Sequence, residues 1–424
     1  MLTAVVGINW GDEGKGRMVD QLSGEMDIVV RYQGGNNAGH TVITPQGKFI
    51  LNLLPVGILR EGVTNILGNG MVVDIEHLIK EIAALREGGV AISLDNLKIS
   101  DRAIISMPYH RLLDGLEEDR MAGDKQGSTR RGIGPAYGDK YQRKAIRMGD
   151  LLCPEALKKE VAALVEWKNL TIVGGYGESA ITTDEMMEWL TEYGTPLQDY
   201  ICDTGLYLEK ALDDGKRVML EAQLGALRDI EFGIYPYTTS SNAISAYGPI
   251  GAGIPGRRVD RTIGIVKAYS SSVGGGPFTV EWFGEEAERL REAGSEYGAA
   301  TGRPRRVGPF DMVASRYGVR IQGADELVLT KLDILSYMEE IPLCVAYEID
   351  GEETREFPTG ERLNRAKPVC ETMKGWGVDI SGCRSMGELP TEAVAYIERI
   401  ERELGCPIKY ISVGPKRDDT IVKE

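Results

Sequence analysis

The chain has 424 residues, 42% of them hydrophobic, and a formal net charge of −15. Such a surface repels nucleic acid and anionic membrane, so a phosphorylated ligand must be captured by local arginines, lysines and helix N-termini. No apolar run approaches the ~18 residues of a membrane span, and the six cysteines (Cys153, Cys202, Cys344, Cys370, Cys383, Cys406) lack CxxC spacing, which together predict a cytoplasmic small-molecule protein with reduced thiols.

In chain order, "LTAVVGI" is a β-branched run ending at glycine and "KGRMVDQLSG" reads as a helix, so residues 9–16 form a strand-to-helix turn. "DIVVRY", "KFILNLL", "RVMLE", "TIGIVKAY", "ELVLTKL" and "IPLCVAYEI" are further buried-strand candidates. Helical patterns lie between them: "DIEHLIKEIAALREG", "CPEALKKEVAALVEWK", one long piece over residues 183–213, "GEEAERLREAG" and "LPTEAVAYIERIEREL". This alternation predicts an α/β fold with a central, mostly parallel sheet flanked by helices, placed in the P-loop-like class by the glycine-rich turn and the family resemblance described below. No Pro/Ser-rich linker or repeat divides the chain, so residues 1–424 are expected to form one domain. "AGDKQGSTRRGIGPAYGDKY" and "GSEYGAATGRPRRVGPFD" have no hydrophobic period and predict long functional loops.

The first turn, "NWGDEGKGR", is built like an anion cradle. Gly11, Gly14 and Gly16 let the backbone close round an oxyanion, Lys15 adds a charge, and the helix adds its positive end. It departs from the pattern GxxxxGK[ST], carrying Asn9 and Gly16 at two fixed positions. With no hydroxyl after the lysine, Asp12 is the nearest group for a magnesium ion. A carboxylate beside polyphosphate is repulsive unless a metal bridges them or it accepts a proton; the other reading is that Asp12 and Glu13 only cap the helix.

"ELVLTKLD" runs an apolar strand into Thr330-Lys331-Leu332-Asp333. One carboxylate there can accept from N1–H and the exocyclic amine of guanine, a pair adenine lacks, so a phosphate loop followed by this TKxD points to GTP. "DKQG" at residues 124–127 follows no buried strand, which leaves a regulatory-switch reading without its γ-phosphate sensor. Among three histidines, His77 and His110 sit in amphipathic patterns and are expected to take surface or packing roles. His40 ends "RYQGGNNAGH", a glycine- and amide-rich turn where an imidazole can donate to an oxyanion or shuttle a proton. "GAATGRPRR" gathers Thr301, Arg303, Arg305 and Arg306, and "STRRGIGPAYGDKYQRK" gathers Ser128, Thr129, Arg130, Arg131 and Arg143. Two such guanidinium clusters in so acidic a chain favour at least two anionic ligands.

Taken in order, "WGDEGKGR", "RYQGGNNAGHT", "TRRGIGPAYGDK", "YPYTTSSN", "GAATGRPRR", "TKLD" and "ISVGP" resemble the adenylosuccinate synthetase family over essentially the whole chain. The resemblance implies GTP-dependent ligation of inosinate and L-aspartate through 6-phosphoryl-inosinate, in the cytoplasm, with Asp12 as base and His40 as the group stabilising the oxygens of the phosphoryl in flight. It implies GTP contacts from Gly11, Asp12, Glu13, Gly14, Lys15, Gly16, Arg17, Gly39, His40, Thr41, Arg305, Lys331, Leu332, Asp333, Ser412, Val413 and Gly414. Inosinate would meet Asp12 to Lys15, Asn37, Ala38, Gly39, His40, Thr129, Thr239, Arg303 and the position of Leu224, with Arg143 supplied across a homodimer interface. Aspartate would be held by Ala299, Ala300, Thr301, Gly302, Arg303 and Arg305, and Mg2+ by Asp12 and the carbonyl oxygen of Gly39.

The chain departs from the family pattern in three places. "EAQLG" stands where the family reads "EGAQG", which puts Leu224 in place of an inosinate-touching glutamine and moves Gln223 one residue earlier. "YSSSVGGGPFTVE" lacks the usual arginine, and Ala300 replaces a common threonine. A variant ligase acting on another 6-oxopurine nucleotide such as guanylate, and a GTP-binding switch without ligase chemistry, are the alternatives.

Overall fold

Strand β1 (Leu2–Gly7) is buried at every position and lies inside a ten-stranded sheet. The computed structural model describes residues 1–44, 47–121, 127–298 and 302–423. Across the sheet the order is Thr420–Val422, Ile408–Ser412, Glu326–Thr330, Arg261–Lys267, β1, Val218–Glu221, β2 (Ile28–Arg31), Thr64–Leu67, Leu97–Ser100 and Ile201–Cys202. Every neighbouring pair is parallel except the first. A parallel sheet is covered on both faces, and β1 shows the resulting two-residue period. Val5 packs into one apolar cluster with Val29, Met219 and Ile263, while Leu2, Ala4 and Val6 pack into another with Ile28, Val30 and Leu220.

The apolar runs at β1, β2, Val218–Glu221, Arg261–Lys267 and Glu326–Thr330 are strands of this sheet, as their composition predicts. Two others differ. "KFILNLL" contributes Gly47–Leu51 to a two-stranded antiparallel ribbon with β3 (His40–Thr44), largely exposed rather than buried. "IPLCVAYEI" lies in Glu340–Ile349, the hub of a separate four-stranded sheet. Strands Thr64–Leu67, Leu97–Ser100, Ile201–Cys202, Ile408–Ser412 and Thr420–Val422 complete the central sheet and are too short or too polar to stand out by periodicity.

The helix expected over residues 183–213 is broken. Thr183–Gly194 ends at a glycine, Pro196 opens a 3-10 turn, Thr195–Tyr200, the edge strand Ile201–Cys202 follows, and Asp203 caps Thr204–Asp213 by accepting from Leu206 N. Conversely, the first expected long loop contains the helix Ile133–Gln142, entered through Gly132 at φ 77 and hidden in the sequence by its glycines and proline. The second contains the short strands Arg306–Gly308 and Phe310–Asp311. Among the described residues no helix is long and apolar enough to cross a membrane.

Parallel strands share one carboxyl edge, and ligands of open α/β sheets bind in the crevice outside it. The turns leaving β1, β2, Val218–Glu221, Glu326–Thr330 and Ile408–Ser412 all emerge there, and they carry most of the residues singled out above.

Candidate active site

The turn after β1 is shaped from within. Gly11, Asp12 and Gly14 take left-handed backbone angles (φ 97, 59 and 93), and α1 (Lys15–Ser23) follows. The Glu13 carboxylate, 2% exposed, accepts from Asn9 N at 3.1 Å, Gly11 N at 2.8 Å and Lys15 Nζ at 2.6 Å. It therefore fixes the curvature of the cradle and holds its lysine in place. The helix cap is Gly14, with no side-chain cap bond and no acid in the first turn, so the capping reading of Asp12 and Glu13 fails. The Asp12 side chain is 39% exposed and faces Arg305, whose Nε lies 3.1 Å from Oδ2. Gly16, the departure from the usual phosphate loop, has a steric reason: a β-carbon there would stand 2.8 Å from the β-carbon of His40.

His40 opens β3 and is 7% exposed. Its Nδ1 lies 2.5 Å from Glu221 Oε1, while Glu221 Oε2 accepts from Val56 N at 2.8 Å. Arg31, fully buried at the end of β2, approaches the same carboxylate at 3.8 Å and finds no hydrogen-bond partner for Nε, Nη1 or Nη2 among the described residues. Burial pushes the His40 pKa down against the pull of Glu221. Burial alone would raise Glu221, but His40 and Arg31 hold it below the ordinary carboxylate value. The pair is a neutral imidazole beside an ionised carboxylate, with Nδ1–H as the shared donor.

Gln223 does not stand in for the missing glutamine at position 224. It is fully buried, its Oε1 accepts from Gly35 N at 3.1 Å, and its Nε2 donates to Gly35 O at 2.9 Å and Ala38 O at 3.3 Å. It shapes the turn leading to His40, in which Asn37, Ala38 and Gly39 are half-buried. Leu224 adopts φ 63, left-handed for a branched residue, and its α-carbon stands 3.3 Å from where a β-carbon on Gly11 would lie. Thr239 is buried nearby in sequence terms, its N donating to Arg228 O at 2.8 Å.

At the other flank Thr330 Oγ1 donates to Glu13 O at 2.6 Å, tying the TKxD strand to the phosphate loop. Leu332 is buried, and burial raises the pKa of Asp333 despite Lys331 and Arg17. Arg17 leaves α1 to donate to Ser412 Oγ, to Asp419 O at 2.9 Å and to Thr420 Oγ1 at 2.9 Å, so the helix is pinned to the turn holding Val413 and Gly414. Gly302 (φ 65) and Arg303 are exposed; Arg306 is engaged by Glu281 and Gly276 O. Ala299, Ala300 and Thr301 lie outside the described residues, as do residues 124–126 of "DKQG". Thr129 and Arg143 are exposed, Arg143 as the left-handed cap (φ 62) of Ile133–Gln142.

Sequence reasoning missed Arg31, Glu221 and Glu296. The first two carried a signal, being charged residues that end otherwise apolar buried strands. Glu296 carried none that set it apart from its many acidic neighbours. His110 is buried as expected, its Nδ1 accepting from Met107 N and its Nε2 donating to Asp139.

Comparison with known proteins decides the family. The model for adenylosuccinate synthetase matches residues 4–421. The chain belongs to the adenylosuccinate synthetase family. It is 46% identical over 421 residues to the adenylosuccinate synthetase of Mycobacterium tuberculosis H37Rv, covering 99% of this chain and 97% of the relative. It is 44% identical over 423 residues to that of Dehalococcoides mccartyi, covering 100% of both. The fully ligated adenylosuccinate synthetase of Plasmodium falciparum superposes with a TM-score of 0.94 at 38% identity, over 100% of this chain and 99% of that one. The succinoaminodeoxyadenylate synthetase of cyanophage S-2L shares the fold at a TM-score of 0.63 and 18% identity, over 99% of this chain and 95% of that one. As a family member the chain is a GTP-dependent ligase that joins inosinate to L-aspartate, forming a carbon–nitrogen bond in AMP synthesis.

Proposed function

We propose that this ligation of inosinate and L-aspartate runs in two steps in the crevice at the carboxyl edge of the sheet, with Asp12 as the base. Asp12 takes the N1 proton of the 6-oxopurine, which moves charge onto O6, and O6 attacks the γ-phosphoryl of GTP, breaking its bond to the bridging oxygen so that GDP leaves. Phosphoryl transfer rests on positioning and charge neutralisation, which Lys15, the loop N–H groups and the start of α1 supply. His40 donates to the phosphoryl oxygens. For that its Nε2 needs a proton as well as Nδ1, and the arriving phosphates favour the imidazolium whose counter-ion is Glu221. The amine of aspartate then attacks C6, and phosphate leaves.

GTP is read by Lys331, Leu332, Asp333 and residues 412–414, with its phosphates over residues 11–17 and 39–41 and against Arg305. Inosinate lies against residues 12–15 and 37–40, Thr129, Leu224, Thr239 and Arg303. Arg143 comes from the second subunit of a homodimer, which accords with its exposure on a helix cap. Aspartate is held by residues 299–303 and Arg305. Mg2+ suits a site with one exposed carboxylate, because it keeps several waters and leans on substrate phosphates rather than on a protein cage. Asp12 and the Gly39 carbonyl would hold it, and it would neutralise charge on the phosphates. The chain is read as one domain.

The observation that carries this reading is the division of labour in one turn: Glu13 is buried and engaged by the turn itself, while the Asp12 side chain is partly exposed and faces Arg305. Steady-state assays with inosinate and guanylate side by side test it. Phosphate release that needs GTP, inosinate and aspartate together is expected. Aspartate-dependent turnover of guanylate alone would overturn the choice of purine, and GTP hydrolysis indifferent to aspartate would overturn the ligase.

A further inference from the structure

Glu296 is a fully buried carboxylate that four donors share. Its Oε1 accepts from Lys267 Nζ at 2.9 Å, Tyr269 OH at 2.5 Å and Lys331 Nζ at 2.7 Å, and its Oε2 accepts from Arg305 Nη1 at 2.8 Å. Lys267 ends a strand of the central sheet, Lys331 belongs to the TKxD turn, and Arg305 belongs to the arginine loop. Lys331 is further fixed by Gly294 O at 2.6 Å, with φ 59 at its own backbone. Arg305 continues the chain of contacts to Asp12 through Nε at 3.1 Å.

We infer that Glu296 is a positioning residue that couples the guanine-reading turn to the arginine loop. A single carboxylate holding Lys331 and Arg305 cannot keep both bonds if either cation moves, and removing it leaves three buried or half-buried cations facing one another. Burial would raise the Glu296 pKa, but the cations hold it well below the ordinary value, so its carboxylate stays ionised at neutral pH. The ammonium of Lys331 is committed to this hub, which leaves its stem and backbone to meet the base. Guanine settling on the turn therefore fixes Lys331, and through Glu296 it fixes Arg305 over the site of the acidic co-substrate. The inference rests on the ligand placement proposed above and deepens it.

Two measurements test it. The first is the KM for aspartate of Lys331→Met at saturating GTP and inosinate. Lys331 is not among the residues placed on aspartate, so a merely local role changes the KM for GTP alone. The expected result is an aspartate KM raised about fivefold, within the range of couplings between residues of one network, and an unchanged value overturns the inference. Glu296→Gln is expected to raise both KM values; should it fail to fold, Lys331→Met still decides. The second is hydrogen exchange with guanosine, which has no phosphate to touch Arg305. Slower exchange at residues 326–333 and also at 302–306 is expected, with the second effect absent in Lys331→Met. Protection of 326–333 alone overturns the coupling and leaves the guanine site standing. Protection of neither segment overturns the guanine site and the coupling together.

Discussion

The two flanks of the phosphate loop each hide a carboxylate, and they use it differently. Behind His40, Glu221 serves one imidazole and one backbone N–H, with Arg31 close but not hydrogen-bonded. Behind Arg305, Glu296 serves two lysines, an arginine and a tyrosine drawn from separate segments. The first arrangement sets the protonation and aim of one side chain. The second ties segments together. A buried carboxylate thus acts as a local tuner when its partners are few and as a cross-link when they come from different turns.

Breaking the loop between the flanks gives the largest effect. Asp12→Asn is expected to lower kcat by about 10³-fold, the scale of a positioned general base, while GTP binding measured by calorimetry stays near the parent value. Near-parent turnover would remove Asp12 from its role. Glu221→Gln sharpens the comparison on the His40 flank. It is expected to lower kcat by about 10²-fold with little change in KM, because the counter-ion of the imidazolium is lost. An equal loss in Asp12→Asn and the double variant would show that both act in one step, and a rise in KM alone would show that Glu221 only shapes the pocket.

Leu224→Gln returns the amide that the family carries. A new hydrogen bond to inosinate of about 1 kcal/mol corresponds to a KM for inosinate lowered about fivefold, with the KM for GTP unmoved. An unchanged inosinate KM would show that the nucleotide does not reach this position. The smallest effect concerns His110, whose folded pKa is pushed below the ordinary value by burial, with Asp139 opposing. The unfolded chain takes up a proton near pH 6.5 that the folded one refuses, so stability is full above that pH and is lost as pH falls below it. The slope is about 1.4 kcal/mol per pH unit for one such group. Chemical denaturation of the parent and of His110→Gln at pH 7.5 and 5.5 should show a shallower loss in the variant, and parallel losses would count against it.

The sheet strands that were legible are those whose burial on both faces forces an unbroken apolar run, as in β1 and Arg261–Lys267. "KFILNLL" looked the same because composition does not report the partner, and its partner proved to be a single exposed strand. The helix Ile133–Gln142 was hidden because packing overrides the poor propensity of its two glycines and proline. In the site, the residues of the short motifs fall on turns at the carboxyl edge of the sheet, where the strands that precede them lead. Glu296 could not, because its importance comes from four donors brought together by the fold and from no local pattern. Glu13 was legible as a loop residue, but that it braces the turn from inside follows only from its three contacts.

The close approach of Gly16 to His40 has an evolutionary corollary. Ordinary phosphate loops put a hydroxyl-bearing side chain at that place to grip the metal, and here its β-carbon would stand 2.8 Å from the β-carbon of His40, too close for both to keep their places. In this backbone a side chain at position 16 and one at position 40 exclude each other, so gaining the loop hydroxyl requires moving the start of β3. A lineage holding the histidine is confined to finding its metal ligand elsewhere.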